Sequence, residues 1–315
     1  MTLRETLDVF TLLDSAAVTG EEVLAFLRRQ GARDDELEMR TVKGEKGTTD
    51  FIKIVIPGLQ GRRAGGSAPT LGVIGRLGGI GARPEVVGMV SDADGAVAAL
   101  TVASKLLRMR SSGDRLAGDV IVATHICTQA PTEPHDPVPF MGSPVDIRTM
   151  NEYEVSPEME AILSIDATKG NRIINTRGFA ISPTVKEGWI LRVAEDLLDL
   201  MAVTTGEPPK VFPITMQDIT PYGNGVYHLN SILQPAVATR APVVGVAITS
   251  VTPVPGCASG ANHEVDIAEA VRFVIETAKA FTAGKIAFYD PDEFERLVDL
   301  YGSMAKLQTL GRMGD

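Results

Sequence analysis

The stretch GVIGRLGGIG, residues 72–81, decides the fold. Leu71, Val73 and Ile74 are apolar and stand directly before a run of glycines broken by Arg76, so the segment reads as a buried strand ending in a tight loop. Downstream, DGAVAALTVASKLLRM has helical apolar spacing and GDVIVATHIC is strand-like again. Strand, helix, strand in that order implies parallel strands joined by a crossover helix. ILSIDAT, RGFAISPTV and APVVGVAITSV continue the strands, with helices expected at LRVAEDLLDLMA and near YHLNSILQPAVA, and two more, EVDIAEAVRFVIETAKAF and PDEFERLVDLYGSMAKLQTL, closing the chain. The expectation is a three-layer α/β/α domain with a mixed, mainly parallel sheet.

Working back toward the N-terminus, GLQGRRAGGSAP is a surface turn, and ELEMRTVKG and TDFIKIVIPG are strands. LRETLDVFTLL places Leu3, Leu7, Phe10 and Leu13 at helical spacing. TGEE, from Thr19, is a capping box with Glu22 three residues on, so a second helix runs from there to Gly31. At 315 residues the chain suits one large core. Residues 1–290 are read as a single domain and 291–315 as a C-terminal helix for oligomer contact, with Phe294, Leu297, Tyr301, Met304 and Leu307 on one stripe; such a stripe also serves as intramolecular core.

A formal net charge of −10, with no basic block longer than Arg62 and Arg63, repels polyanions and excludes nucleic acid as a partner. Glu5, Asp8 and Asp14 interrupt the apolar residues of the first segment, so no signal peptide is expected, and no window is apolar for the ~18 residues a membrane span needs. Two cysteines are too few for a disulfide framework and fit a reducing cytoplasm.

Ligands of open α/β sheets bind at the carboxyl ends of strands, which makes those ends the place to look for chemistry. After TLGVIG come Arg76, Arg83, Asp92 and Asp94; after GDVIVAT come His125, Cys127, His135 and Asp136; after ILSI comes Asp166; after APVVGVAITSV come Cys257, His263, Glu264 and Asp266. With His228, all four histidines lie near strand ends or helix starts, which a shared site explains, though single histidines often sit in loops and caps. Arg76 is either half of a rim salt bridge or a planar fork for carboxylate or phosphate, with glycines that let a ligand approach. One of Ser91, Asp92 and Asp94 is expected to cap the following helix, leaving another carboxylate for a cation or a substrate amine. His125 and Cys127, two apart on a strand, form a nucleophilic pair unless the cysteine is a small buried hydrophobe. The five prolines of APTEPHDPVPFMGSP forbid regular structure and leave a long ordered loop or a lid.

Taken in order, LLDSAAVTGEEVLAFLRR, APTLGVIGRLGGIG, SDADGAVAALTVASKLL, LSIDAT and the block from PVVGVAITSV to EAVRFVIE resemble the co-catalytic zinc aminopeptidases over most of residues 5–280. GRLGGIGARPE, VSDADGA and THICTQAPTEPHDPVPFMGSPVD look more closely like a bacterial and archaeal family catalogued as domain of unknown function 1177, a name that supplies no activity. The peptidase resemblance implies that Asp92 matches a bridging aspartate and Asp166 a terminal ligand. Arg76 and Gly78 stand where a histidine and an aspartate would be, Cys127 and Thr128 where paired glutamates would be, and His263 lies near the last ligand histidine. Two zinc ions need more ligands than that. The expectation is therefore a divergent hydrolase of small peptides or amides holding at most one divalent ion, zinc or manganese. Asp92, Asp166 and His263 are its ligands, Glu264 and His125 its catalytic groups, and Arg76, Arg83 and His135 its substrate contacts. The alternatives are a non-catalytic binding protein or inactive subunit recognising a small anionic ligand, with Arg76 substituting one positive charge for another, and an assembly component; a homo-oligomer is expected.

Overall fold

The computed structural model describes residues 2–76, 78–214, 226 and 228–310. The chain opens with α1 (Leu3–Leu13) and α2 (Gly20–Arg29). The capping box at the start of α2 is formed: the Thr19 hydroxyl accepts from the Glu22 N–H and the Glu22 carboxylate accepts from the Thr19 N–H. The remaining elements are β1 (Leu37–Gly44), β2 (Gly47–Ile56), β3 (Leu71–Gly75), α3 (Asp94–Ser111), β4 (Val120–Ile126), β5 (Thr132–Glu133), β6 (Phe140–Met141), α4 (Ile147–Glu154), β7 (Ala161–Ala167), β8 (Gly178–Ile181), β9 (Val185–Lys186), β10 (Trp189–Ile190), α5 (Glu195–Thr205), β11 (Val243–Thr249), α6 (Glu264–Thr282) and α7 (Pro291–Tyr301).

The sheet runs β1-β2-β4-β3-β7-β11-β9-β10, with β8 also paired to β11. Its centre, β4-β3-β7-β11, is parallel throughout, and antiparallel strands flank it on both sides. Nearly every residue of the four central strands is buried, which is why they read as unbroken apolar runs and not as alternation. Val73, Val122, Leu163 and Val246 face a thick layer of α1, α2, α3, α5 and α6. Ile74, Ile121, Ile162 and Ala247 face a thinner layer that includes the 3₁₀ turn Ser231–Val237, with α4 beside it. A Cβ on Gly75 would stand 2.7 Å from that of Ala99, and one on Gly95 would collide with the Arg76 carbonyl. These two glycines seat α3 directly on β3, which brings Asp92 and Asp94 to the strand end.

Several expectations are corrected. None of Ser91, Asp92 and Asp94 caps α3 with its side chain; a 3₁₀ turn, Ser91–Ala93, leads into the helix instead. The proline-rich segment contains a short antiparallel pair, Thr132 with Met141 and Glu133 with Phe140, because its prolines fall outside the paired positions. The helix expected near YHLNSILQPAVA is the 3₁₀ turn, with Pro235 inside it. The closing helix stops at Tyr301, where Gly302 takes φ 83°, so Met304 and Leu307 lie beyond it; no residue of α7 is buried. Helix α4 was not expected. Leu77 of the opening stretch, Tyr227 and the tail 311–315 of the C-terminal segment lie outside the described residues. Among the described residues no helix is long and apolar enough to cross a membrane.

Candidate functional site

The central strands end in buried charge. β3 runs into Arg76, whose N–H donates to the Ile165 carbonyl at 2.8 Å, holding the backbone beside β7 for one residue more. Its guanidinium, 2% exposed, ion-pairs with Glu154 and donates to the Gln234 side-chain oxygen. Glu154 is the last residue of α4, where an acid opposes the helix dipole, and it is fully buried. Burial by itself would raise its carboxyl; the Arg76 guanidinium and then His125 outweigh that and hold it below the ordinary range. His125 Nδ1 lies 2.5 Å from Glu154 Oε1, and the Gly78 N–H donates to Nε2 at 3.3 Å. Both ring nitrogens of His125 thus have partners inside the protein.

Two further groups complete the cluster. Lys169, just past β7, ion-pairs with Asp94 and donates to the Ala261 carbonyl at 2.6 Å. Asn262 donates to Asp94 Oδ1 at 2.7 Å and to the Val90 carbonyl at 2.9 Å. Burial raises the Asp94 carboxyl above its ordinary value, and Lys169 and Asn262 pull it only part of the way back. The amine that an aspartate here was expected to bind is the protein's own. Burial pushes the Cys257 thiol up to about 12, with the Asp92 charge and, more weakly, Asp166 adding to it. The Met141 N–H donates to its sulfur at 3.1 Å.

What this arrangement can do follows from its occupancy. The fork of Arg76 is engaged from within, so it does not stand open to an anion. The glycines beside it serve a different approach from the one expected: a Cβ on Gly78 would strike His125, and one on Gly79 would lie 2.6 Å from Asp92 Oδ2. His125 has both ring nitrogens bonded inside the protein, and Cys127 packs with Ala82, Val90 and Ala130 as a small hydrophobe, its thiol raised by burial. A neutral thiol is a poor nucleophile, so neither cysteine is poised for attack at neutral pH.

The other expected residues disperse. Asp92 and Asp166 are buried and act on Cys257, whereas His263 stands at the rim, about half exposed, with Nδ1 3.5 Å from Asp266. Glu264 is exposed at the start of α6. Arg83 donates to the backbone carbonyls of Thr128 and Asp14 at 3.4 and 3.3 Å and so ties its loop to the end of α1. His135 bonds the Val138 carbonyl at 2.8 Å and packs against Phe140 within the short hairpin. Among the described residues no three His, Cys, Asp or Glu side chains are grouped to hold a metal ion. The set Asp92, Asp166 and His263 is therefore not assembled, and these residues do not fit the zinc or manganese centre expected of them.

Sequence reasoning missed Glu154, Gln234, Lys169 and Asn262. Lys169 had a signal, since it follows the strand-ending Asp166 by three residues. Glu154 had none, because α4 turns polar residues inward.

This chain is a member of the DUF1177 family. The match to that family, described as a protein of unknown function, covers residues 40–311. Among solved structures the chain is similar to the bottromycin maturation enzyme BotP, at 16% identity and a TM-score of 0.44, covering 89% of this chain and 70% of that one. It is also similar to a mutant of tomato leucine aminopeptidase, at 13% identity and a TM-score of 0.49, covering 87% of this chain and 61% of that one. The chain thus spans less than two thirds of the aminopeptidase's length. No curated protein matches it in sequence.

Proposed function

We propose that this protein is a non-catalytic binding protein or subunit whose strand-end centre is a structural charge network, and not a metal-dependent hydrolase of small peptides or amides. The observation that carries this reading is Arg76: a guanidinium at the end of β3, almost wholly buried and closed onto Glu154 and Gln234. Hydrolysis needs a group poised to receive a proton and an open position for the reacting atom. Here His125 and Lys169 are held by Glu154 and Asp94, and the thiol is neutral.

A second reading, the hydrolase, is favoured by the burial of Asp92 and Asp166 beside the same thiol at the strand ends. Protein purified without chelator or affinity histidines separates the two. We expect less than one zinc or manganese ion per chain and no turnover of dipeptides or amino-acid amides with either metal added. A tightly held ion, lost together with turnover in Asp92→Asn or Asp166→Asn, overturns the non-catalytic reading.

A further inference from the structure

The strand-end arginine is closed, but three others are gathered elsewhere. A surface hollow of about 470 Å³ lies where the start of α1 meets the ends of α2 and α3, and Arg4, Arg29, Arg108, Ser111, Ser112 and Asp8 line it. Because α3 starts at the carboxyl end of the sheet and is 18 residues long, its far end lies about 27 Å away, at 1.5 Å of rise per residue. The hollow is thus distinct from the strand-end cluster. We propose that it is a binding site for a small molecule carrying two or more negative charges on oxygen, of the pyrophosphate or phosphate-ester class.

The charge balance is the first argument. Glu5 is buried and engaged by Arg108 at 3.4 Å and Lys105 at 3.7 Å, while Asp8 reaches Arg108 at 4.0 Å. Among the described residues Arg4 and Arg29 have no acidic partner, so three arginines and one carboxylate line the hollow in a protein whose formal net charge is −10. The second argument is placement. Arg29 and Arg108 stand in the last turns of their helices, where the dipole alone rewards a cation. Arg4 stands in the first turn of α1, where it opposes the dipole, so helix electrostatics does not explain it. The third argument is chemistry. Guanidinium forks match phosphate oxygens two at a time, the serine hydroxyls add donors, and the volume falls within the range of small-ligand sites.

The test is calorimetric titration of the full chain with pyrophosphate at low salt, where exposed charges act at longest range. Wild type is compared with Arg4→Ala/Arg29→Ala and with Arg148→Ala, an exposed arginine paired to Glu152 on α4. We expect saturable binding to wild type and to Arg148→Ala. The double alanine variant should bind at least about tenfold more weakly, the loss of charge-assisted hydrogen bonds. Arg4→Lys/Arg29→Lys should recover only part, since an ammonium lacks the fork. Unchanged melting temperatures show that no variant has failed to fold. The proposal is overturned by no binding to wild type, by equal binding to the double alanine variant, or by an equal loss in Arg148→Ala. Sedimentation with phosphatidylserine vesicles separates the remaining source of phosphate: sedimentation lost in the double variant, with no response to pyrophosphate, overturns the small-molecule assignment in favour of a lipid headgroup. The inference stands whichever way the metal and turnover measurements fall.

Discussion

The two ends of this sheet carry the same kinds of side chain and use them differently. At the carboxyl end Arg76 and Lys169 are buried, and each is closed onto an internal carboxylate, Glu154 or Asp94. At the amino end Arg4 and Arg29 are exposed, face the hollow beside Asp8, and among the described residues are closed onto no carboxylate. Burial is what separates them. A charge taken out of water must find a counter-charge inside the protein, and once it has, it holds structure and is no longer offered to a ligand. A charge left in water costs little to keep unpaired and remains available.

The largest expected effect is therefore at the carboxyl end. Arg76→Met leaves Glu154 buried without its main counter-ion and should cost about 3–5 kcal/mol, read as a lower urea midpoint. Arg76→Met/Glu154→Gln should recover part of that, because the stranded charge is removed as well. An unchanged midpoint in the single variant would break the comparison, since it would mean that Arg76 is not structural. Next comes Asp94. Asp94→Asn strips buried Lys169 of its counter-ion and Lys169→Met strips Asp94 of its own, but burial already raises the Asp94 carboxyl and so weakens the pair, and each should cost about 3 kcal/mol.

A smaller effect appears in alkali. The Cys257 thiol rises from an ordinary 9.0 to about 12 in the folded chain, so below pH 9 it is neutral in both states. Above that only the unfolded chain ionises there, and stability falls between pH 9 and about 12. Cys257→Ala should flatten that part of the stability profile, and thiolate absorbance in the folded wild type should not rise near pH 9. The same slope in both proteins would place the thiol in contact with water. The smallest effect belongs to the amino end: Arg4→Ala and Arg29→Ala should each leave stability within about 0.5 kcal/mol. A larger loss would make these arginines structural too and erase the difference between the two ends.

What the sequence by itself determined is what depends on neighbours along the chain. The capping box at Thr19, the crossover from β3 through α3 to β4, and the parallel centre of the sheet all follow from spacing and apolar runs that local physics converts into helix or strand. It failed where local pattern and tertiary demand conflict. α4 is a short polar helix whose buried residues are Asn151 and Glu154, the reverse of the apolar face that periodicity searches for. The closing helix was read past Gly302, where a positive φ ends it.

The role of Arg76 was beyond the sequence altogether. Glycines beside an arginine at a strand end fit an open anion fork and a closed ion pair equally well. Its partners lie 78 and 158 residues away, and only the folded chain brings them to it. The hollow at the other end is of the same kind, since Arg4, Arg29 and Arg108 come from three helices and meet only when those helices pack. Local propensity acts over a few residues; whether a charge is spent on the protein or left for a ligand depends on its desolvation and its distance to a counter-charge, and both are properties of the packed structure.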